Sequence, residues 1–187
     1  MNQKEQILEA TIGVFNKKGM KFTMDDLASE LNMSKKTIYK YFDNKNSLCL
    51  EMVDYCFDRI KTSEQDVVKN KTLSTKEKIK TILGVLPEGY RDIDFRQLYL
   101  LKNKYPKIYK KVEQRLENGW EATIALLQQG IDEGVIRKIS IPIFKLMLES
   151  TVEQFFQRDV LIQNQLDYAD ALEEVVMILM EGICKGE

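Results

Sequence analysis

Residues 34–45 bring together side chains that can bind phosphate. This stretch of twelve residues holds four lysines and one acid, Asp43, which gives it a local net charge of +3. Serine, threonine and tyrosine hydroxyls lie between the lysines, and such groups donate to phosphate oxygens or reach base edges in a DNA groove. A solvated, lysine-rich surface helix would show the same charge. The stretch therefore indicates nucleic-acid binding but leaves an ordinary polar surface open.

The elements that position these side chains are predicted as a helix, a tight turn and a second, shorter helix. Thr23 with Asp26 three residues later fits a capping box, and Ser34 is a good N-cap for a helix that ends near Tyr41. Asn32 tolerates the backbone conformation of the turn between them. This layout is typical of a helix-turn-helix, whose second helix enters the major groove of DNA.

Helical periodicity continues through the rest of the chain, and no segment shows a strand pattern. We predict an all-α fold of about nine helices. Residues 1–46 would form a three-helix, helix-turn-helix DNA-binding head, and residues 47–187 a helical body. Within the body, apolar residues from Ile108 to Ile131 recur mostly at four-residue steps, which predicts one long amphipathic helix closed by Gly134.

Composition excludes several kinds of active site. The 187 residues contain no histidine, so a Ser/His/Asp triad, a Cys/His pair and a His-ligated zinc site are impossible. Cys49, Cys56 and Cys184 are too few and too far apart for a four-thiolate site. No run is apolar enough for a membrane span, and the charged N-terminus does not fit a signal peptide. We predict a cytoplasmic protein that has no catalytic residue, metal, cofactor or membrane contact.

Net charge is distributed unevenly along the chain. The whole sequence has 28 basic and 29 acidic residues, a net charge of −1. Residues 1–45 carry eight lysines against six acids, whereas the remainder has a net charge of −3. The near-neutral average therefore conceals a small basic head on a mildly acidic body, as a nucleic-acid-binding head requires.

The sequence of the head resembles the tetracycline-repressor (TetR) family of bacterial transcriptional regulators. In the family pattern Thr opens the second helix, a Leu-Ala pair follows within it, and Ser starts the third helix. Tyr comes next, and two residues after it stands His or Tyr, which Phe follows directly. Lys stands three residues beyond that Phe. The matching residues here are Thr23, Leu27, Ala28, Ser34, Tyr39, Tyr41, Phe42 and Lys45. Lys36 stands where Gly is frequent in the family, and its added cation would compensate for a less close backbone approach to DNA.

Carried over position by position, the resemblance implies a role for each residue of the head. The residues expected to grip phosphates are Thr23, Tyr39, Tyr41 and Lys45. The candidates for base contacts are Ser34, Lys35, Lys36, Thr37 and Lys40. Ile38 and Phe42 are expected to point inward and hold the recognition helix on the head.

The resemblance also implies that residues 47–187 form a ligand-binding and dimerisation domain. The partners it implies are a palindromic double-stranded DNA operator, a second copy of the chain in a homodimer, and a small-molecule effector that releases a repressor from DNA. The sequence leaves repressor against activator open. The candidate ligand-pocket residues are Tyr55, Arg59, Phe95, Tyr99, Trp120 and Phe155. The candidate dimer residues, on the last two predicted helices, are Ile143, Met147, Phe155, Leu172, Val176, Leu179 and Ile183. The helix that starts near Lys45 would transmit the signal, because we expect Tyr55 and Arg59 on it to face the body.

Two other classes of function stay open at this point. The first is a protein-interaction module that keeps the shape of the head but has no affinity for DNA. The second is an enzyme with Cys49 or Cys56 as its nucleophile, although no histidine is present to act as its base.

Overall fold

The computed structural model describes residues 1–87, 90 and 101–184. Within them the fold is all-α, as predicted, and apart from one isolated bridge between Ile136 and Cys184 it has no β-structure. Eleven α-helical segments are present there, nine of them with five or more residues. They span Gln3–Lys18 (α1), Met24–Glu30 (α2), Lys35–Tyr39 (α3), Lys45–Lys69 (α4), Thr75–Leu83 (α5), Leu101–Lys104 (α6), Pro106–Glu117 (α7), Glu121–Asp132 (α8), Ile141–Gln157 (α9), Val160–Gln163 (α10) and Tyr168–Ile183 (α11).

Side-chain caps fix where the helices of the head begin. At the start of α1, Asn2 and Glu5 form a reciprocal capping box, and Thr23 and Asp26 form the predicted one at α2. Such caps satisfy main-chain N–H groups that have no partner within the helix. Gly19 follows α1 with a φ of 56°, a conformation that glycine adopts without steric cost, and a short 3-10 helix then leads into α2.

The 25-residue helix α4 joins the head to the body. Its first turns bury Leu48 and Cys49 in the core of the head, while its later turns pack against α5, α7 and α8. The backbone is therefore helical across the predicted domain boundary between residues 46 and 47, and any movement of the body has a continuous element through which to reach the head.

Around the second half of α4 the body forms a helical bundle. α5 packs on α8, α7 on both α4 and α9, and α11 on both α5 and α9. The largest fully buried side chains of the body are aliphatic: Ile79, Leu101, Ile108, Leu127, Ile136 and Leu161. Burial of such side chains removes apolar surface from water and supplies most of the stability of a bundle of this kind.

The prediction of one long helix from Ile108 to Ile131 is wrong. The structure ends α7 at Glu117 and begins α8 at Glu121, with Gly119 between them at a φ of +81°. Lys61 of α4 donates to the Gly119 carbonyl oxygen at 2.7 Å, which holds the break against α4. A non-glycine residue rarely adopts this φ, so Gly119 permits the turn. Helix α5 ends at Leu83, with Gly84 as its C-cap.

Two further features are absent from the described part of the chain. No helix there is long and apolar enough to cross a membrane. Nor do residues 1–87, 90 and 101–184 contain a cluster of three or more Cys, Asp or Glu side chains that could hold a metal ion.

Candidate functional site

Helices α2 and α3 are joined by a tight turn at Asn32, which has a φ of 50°. The Met33 N–H donates back to the Ala28 carbonyl oxygen at 2.9 Å, closing the end of α2. Ser34 then caps α3, and its Oγ accepts from the Thr37 N–H at 3.1 Å. Local hydrogen bonds thus set the angle between the two helices, and this is the predicted helix-turn-helix.

Two apolar side chains hold α3 on the head. Ile38 is fully buried and Phe42 is 1% exposed, so both point inward as predicted. Because α3 has only five residues, it gains little stability from its own hydrogen bonds and depends on this packing. Removal of either anchor would release the helix that carries the candidate base contacts.

The outer face of α3 presents Lys36, Tyr39 and Lys40 to solvent. All three are exposed, and Tyr39 is 46% exposed although it is aromatic. Their side chains make no hydrogen bond or ion pair with other described residues. Two cations and one phenol are thus available to phosphates or base edges without the loss of an internal contact.

Three other predicted contact residues of the head are already paired. The Lys35 ammonium forms an ion pair with Asp25 of α2 at 2.9 Å, and the hydrogen bond to Asp25 raises the pKa of Lys35. The hydroxyls of Ser34 and Thr37 lie 2.9 Å apart and bond to each other. That bond uses one of the two hydroxyl protons, and the other is left to donate.

Two predicted phosphate contacts are held at the edges of the head. The hydroxyl of Thr23 accepts from the Asp26 N–H at 3.1 Å, and a hydrogen bond from this hydroxyl to the Asp26 carboxylate contributes to the lowered pKa of Asp26. Tyr41 is 38% exposed, and its hydroxyl donates to Gln3 of α1 at 2.7 Å. Both hydroxyls are thus fixed in position at the surface of the head.

Lys45 is turned inward. Its ammonium donates to the carbonyl oxygens of Met20 and Phe22 at 2.7 and 2.5 Å, and it lies 4.2 Å from the centre of the Phe22 ring. Partial burial lowers the pKa of Lys45. Two of its three ammonium protons are donated to these carbonyl oxygens at the corner between α1 and α2, so one proton remains for a phosphate. The sequence could not reveal this role because both partners are main-chain atoms.

Tyr55 and Arg59 face α1 of the head, contrary to the prediction that they face the body. The Tyr55 hydroxyl donates to a carboxylate oxygen of Glu9 on α1 at 2.8 Å, and Arg59 donates to the same oxygen at 3.2 Å. Neither side chain lines the cavity of the body. They lie one turn apart on α4, on the side that packs against α1, and so they fasten α4 to the head.

The body encloses a cavity of about 150 Å³ between α4, α5, α7, α9 and α11. Of the predicted pocket residues, Trp120 lines it, and its ring N–H donates to the Leu116 carbonyl oxygen at 2.9 Å. Phe155 lies behind the wall, with its ring edge-on to that of Tyr168 at 6.2 Å. Phe95 and Tyr99 lie outside the described residues.

Four charged residues that line the cavity were not among the pocket residues predicted from the sequence. They are Lys61, Glu64, Arg115 and Glu149. On an amphipathic helix, such charged residues indicate a face that is exposed to solvent. Only the crossing of α4, α7 and α9 brings them together. The one available signal in the sequence was a charged residue among apolar neighbours, as at Glu149, which follows Leu146, Met147 and Leu148.

The outer face of α9 and α11 differs from the predicted dimer surface. Ile143 and Met147 are 56% and 53% exposed, in line with the prediction. The predicted residues of α11 instead face the core of their own chain, with exposures of 9% or less: Leu172, Val176, Leu179 and Ile183. The exposed apolar residues of α11 are Met177 and Ile178. The prediction failed because α11 is apolar on both faces, so its periodicity did not single out the outer one.

Known proteins are similar to this chain over the head alone or over nearly its full length. Residues 7–52 match the family model for bacterial regulatory proteins of the tetR family. The HTH-type transcriptional regulator YvaF of Bacillus subtilis is 29% identical over 183 residues, which cover 98% of this chain and 96% of YvaF. The negative transcriptional regulator of the icaADBC biofilm operon of Staphylococcus aureus, IcaR, is 38% identical over 56 residues, 29% of this chain and 30% of IcaR.

Solved structures share the fold of the whole chain. The regulator FadR of Bacillus subtilis, crystallised in complex with stearoyl-CoA, superposes with a TM-score of 0.67 at 18% identity, covering 97% of this chain and all of FadR. The family and these relatives are transcriptional regulators rather than enzymes. The head geometry, the family match over residues 7–52 and the full-length similarity to YvaF agree: the head of this chain matches the tetR family of bacterial regulatory proteins, and the chain is similar over nearly its whole length to an HTH-type transcriptional regulator.

Proposed function

We propose that the protein is a homodimeric repressor that binds a palindromic operator in the bacterial cytoplasm and leaves it when a small molecule fills the cavity of the body. In this proposal residues 1–46 bind DNA and residues 47–187 bind the effector and the second subunit. Repression is supported by the likeness of the head to IcaR, which is named as a negative regulator. Release by a ligand is supported by FadR, which shares the fold and was crystallised with stearoyl-CoA.

The observation that carries this proposal is the path of α4. Its first residue, Lys45, donates a hydrogen bond to the Phe22 carbonyl oxygen of the head, whereas Lys61 and Glu64 near its other end line the cavity. A ligand that displaces the cavity wall therefore acts on the helix that positions the recognition helix. A coupling free energy of about 1 to 3 kcal/mol between the two sites would weaken DNA binding some 5- to 150-fold.

Dimerisation is supported by the exposed apolar side chains of α9 and α11. Ile143, Leu146 and Met147 are each more than half exposed, and Ile178 is 61% exposed. Apolar groups that cluster on an outer face favour a partner surface. A two-fold dimer would set two recognition helices in successive major grooves, about 34 to 36 Å apart.

The residues proposed to contact DNA are Thr23, Ser34, Lys35, Lys36, Thr37, Tyr39, Lys40, Tyr41 and Lys45. Among them Lys36, Tyr39 and Lys40 require no internal rearrangement. The alternative of a cysteine-dependent enzyme is disfavoured by burial, which raises the pKa of Cys49 to about 11 and of Cys56 to about 12. Thiols with such pKa values are protonated at neutral pH and are poor nucleophiles.

Selection of bound sequences from a random DNA pool, at two salt concentrations, tests the proposal. We expect a palindrome to be enriched, and its affinity to fall with salt by a log-log slope of about −0.9 for each phosphate contacted. A pool without an enriched palindrome, together with a flat salt response, would favour the protein-interaction module instead. Wild-type protein should then be screened for compounds that release the selected operator.

A further inference from the structure

The charged residues of the cavity are unequally neutralised. The Lys61 ammonium donates to Glu64 and to the Gly119 carbonyl oxygen, both at 2.7 Å. Arg115 donates to Asp58 at 2.6 Å and to Asp54 at 3.4 Å. Both cations of the wall are thus paired with carboxylates of the protein, so neither adds uncompensated positive charge to the cavity.

Glu149 of α9 is in the opposite situation. Its Oε1 atom is buried and has no hydrogen-bond partner among the described residues. Its other oxygen lies 3.7 Å from the ammonium of Lys145, beyond hydrogen-bond distance, and the Glu149 side chain is 17% exposed. Burial raises the pKa of Glu149, Lys145 opposes this, and the neighbouring Glu117 and Glu153 add to it. A buried carboxylate without a donor is costly, so this wall of the cavity lacks a positive group.

The remaining surface of the cavity suits a cation with an apolar body. Aromatic rings of Phe57, Tyr90, Trp120 and Tyr168 form much of the wall. The Lys145 ammonium already lies 5.6 Å from the centre of the Trp120 ring. The face of an aromatic ring attracts cations. A cavity of about 150 Å³ accepts a molecule of about the size of benzene.

We propose that the cavity binds a small organic cation, with an ammonium or guanidinium group at the Glu149 carboxylate and an apolar body against the aromatic wall. The cation supplies the hydrogen-bond donor that Oε1 lacks and the positive charge that Lys145 supplies only loosely. This inference rests on the proposed function for its regulatory meaning, because there the cation is the effector. The binding itself can be measured without DNA.

Three probes that contain the same phenyl ring separate the effect of ligand charge on binding from the effect of ligand shape. They are 2-phenylethylamine, 2-phenylethanol and phenylacetate, which are respectively cationic, neutral and anionic at neutral pH. Isothermal titration of the full-length protein should show the amine binding at least about tenfold more tightly than the alcohol, since a hydrogen bond to a charged group adds at least that much. Phenylacetate should bind most weakly. Equal or tighter binding of phenylacetate, or no binding of any probe, would overturn the inference.

Two variants and a control assign the effect to Glu149. Glu149→Gln should remove the preference for the amine and leave the alcohol unchanged. Lys145→Met, at a partly exposed position, should strengthen amine binding by removal of the competing ammonium, which keeps the test decisive if the first variant does not fold. Glu153→Gln removes the same charge one turn further along α9, outside the cavity wall, and should change amine binding by less than about threefold. An affinity for the amine that neither Glu149→Gln nor Lys145→Met changes would contradict the proposal.

A DNA-release assay on the selected operator separates this inference from the proposed function. If the amine binds through Glu149 but leaves operator affinity unchanged, the cation site stands and ligand-controlled release fails. If neutral or anionic compounds release the operator and the amine does not bind, release stands and the cation site fails.

Discussion

The Lys45 ammonium donates to the Phe22 carbonyl oxygen at 2.5 Å and lies over the Phe22 ring. This contact ties the first turn of α4 to the corner that leads into α2. A lysine expected only to contact DNA thereby also positions the helix-turn-helix relative to the helix that reaches the cavity of the body. Its role in DNA binding and its role in the stability of the head need separate tests.

Replacement of Lys45 by methionine separates the two roles, because methionine keeps much of the apolar stem over Phe22 but cannot donate to the carbonyl oxygens. We expect Lys45→Met to lower the free energy of unfolding by about 1 kcal/mol or more, since two charged hydrogen bonds are lost. Lys40→Met removes an exposed, unpaired lysine of the described head and should change stability by no more than about 0.5 kcal/mol. Urea denaturation measures both variants. Equal stability of the two would mean that the Lys45 contacts contribute nothing to folding.

Lys36 offers a test of base recognition because it is exposed and makes no ion pair within the described chain. We expect Lys36→Ala to reduce discrimination at one operator position by about 1 to 3 kcal/mol, the range for a direct base contact. Competition binding with single-base variants of the selected operator measures this loss. Lys71→Ala removes an exposed lysine from the loop after α4 and should alter neither affinity nor preference. A uniform loss across all operator variants would instead assign Lys36 to the phosphates.

Gly119 in the body and Gly13 in the head form a matched pair for the effect of an added Cβ on the backbone. Gly119 has a φ of +81°, and an added Cβ would lie 2.7 Å from the Lys61 side chain. Movement of that flexible stem would weaken its bonds to Glu64 and to the break between α7 and α8. We expect Gly119→Ala to destabilise the protein by at least about 1 kcal/mol. Gly13→Ala, within α1 where a Cβ meets no atom within 4 Å, should stabilise it by up to about 1 kcal/mol. Chemical denaturation gives both values, and a neutral Gly119→Ala would show that the break does not need glycine.

The head carries a carboxylate whose ionisation supports folding. Hydrogen bonds from Lys18 and from the backbone and hydroxyl of Thr23 lower the pKa of Asp26 from 3.8 to about 2. A lowered pKa in the folded state stabilises the protein above the unfolded value, and this contribution is lost as the pH falls from 3.8 to about 2. Asp26→Asn should therefore lower the melting temperature at pH 6, with the difference from wild type shrinking towards pH 2. Asp66→Asn, at an exposed position of α4, is the control, and a difference for Asp26→Asn that is constant with pH would contradict the assignment.

The head could be predicted from sequence because its determinants are local. Thr23, Ser34 and Asn32 act on backbone groups within a few residues, and Ile38 and Phe42 lie four residues apart on one side of a short element. The family pattern then added roles to these positions. The inward turn of Lys45 escaped prediction because main-chain carbonyl oxygens leave no trace in residue types.

The body was predicted less well because its site depends on contacts between distant helices. Lys61 meets Gly119 across the crossing of α4 with the break after α7, and neither residue signals the other in the sequence. The Asn118-Gly119 pair was an available turn signal, but the apolar spacing around it outweighed it. Glu149 became notable only when its Oε1 atom was found buried without a donor.

The correction at α11 leads to the test of the dimer. Ile178 is 61% exposed and lies on the outer face, whereas its neighbour Leu179 is buried in the core of the same chain. We expect Ile178→Asp to weaken the dimer by about tenfold or more without loss of fold, because the interface would have to bury an unpaired carboxylate. Val68→Asp places the same charge on an exposed position of α4 and should leave the dimer intact. Sedimentation velocity over a range of concentrations measures assembly, and circular dichroism checks folding. A monomeric Ile178→Asp variant should also lose its high affinity for the full palindrome while it keeps weak binding to a half-site. If it sediments as wild type does, the subunits meet through another surface and the outer face of α11 is not the interface.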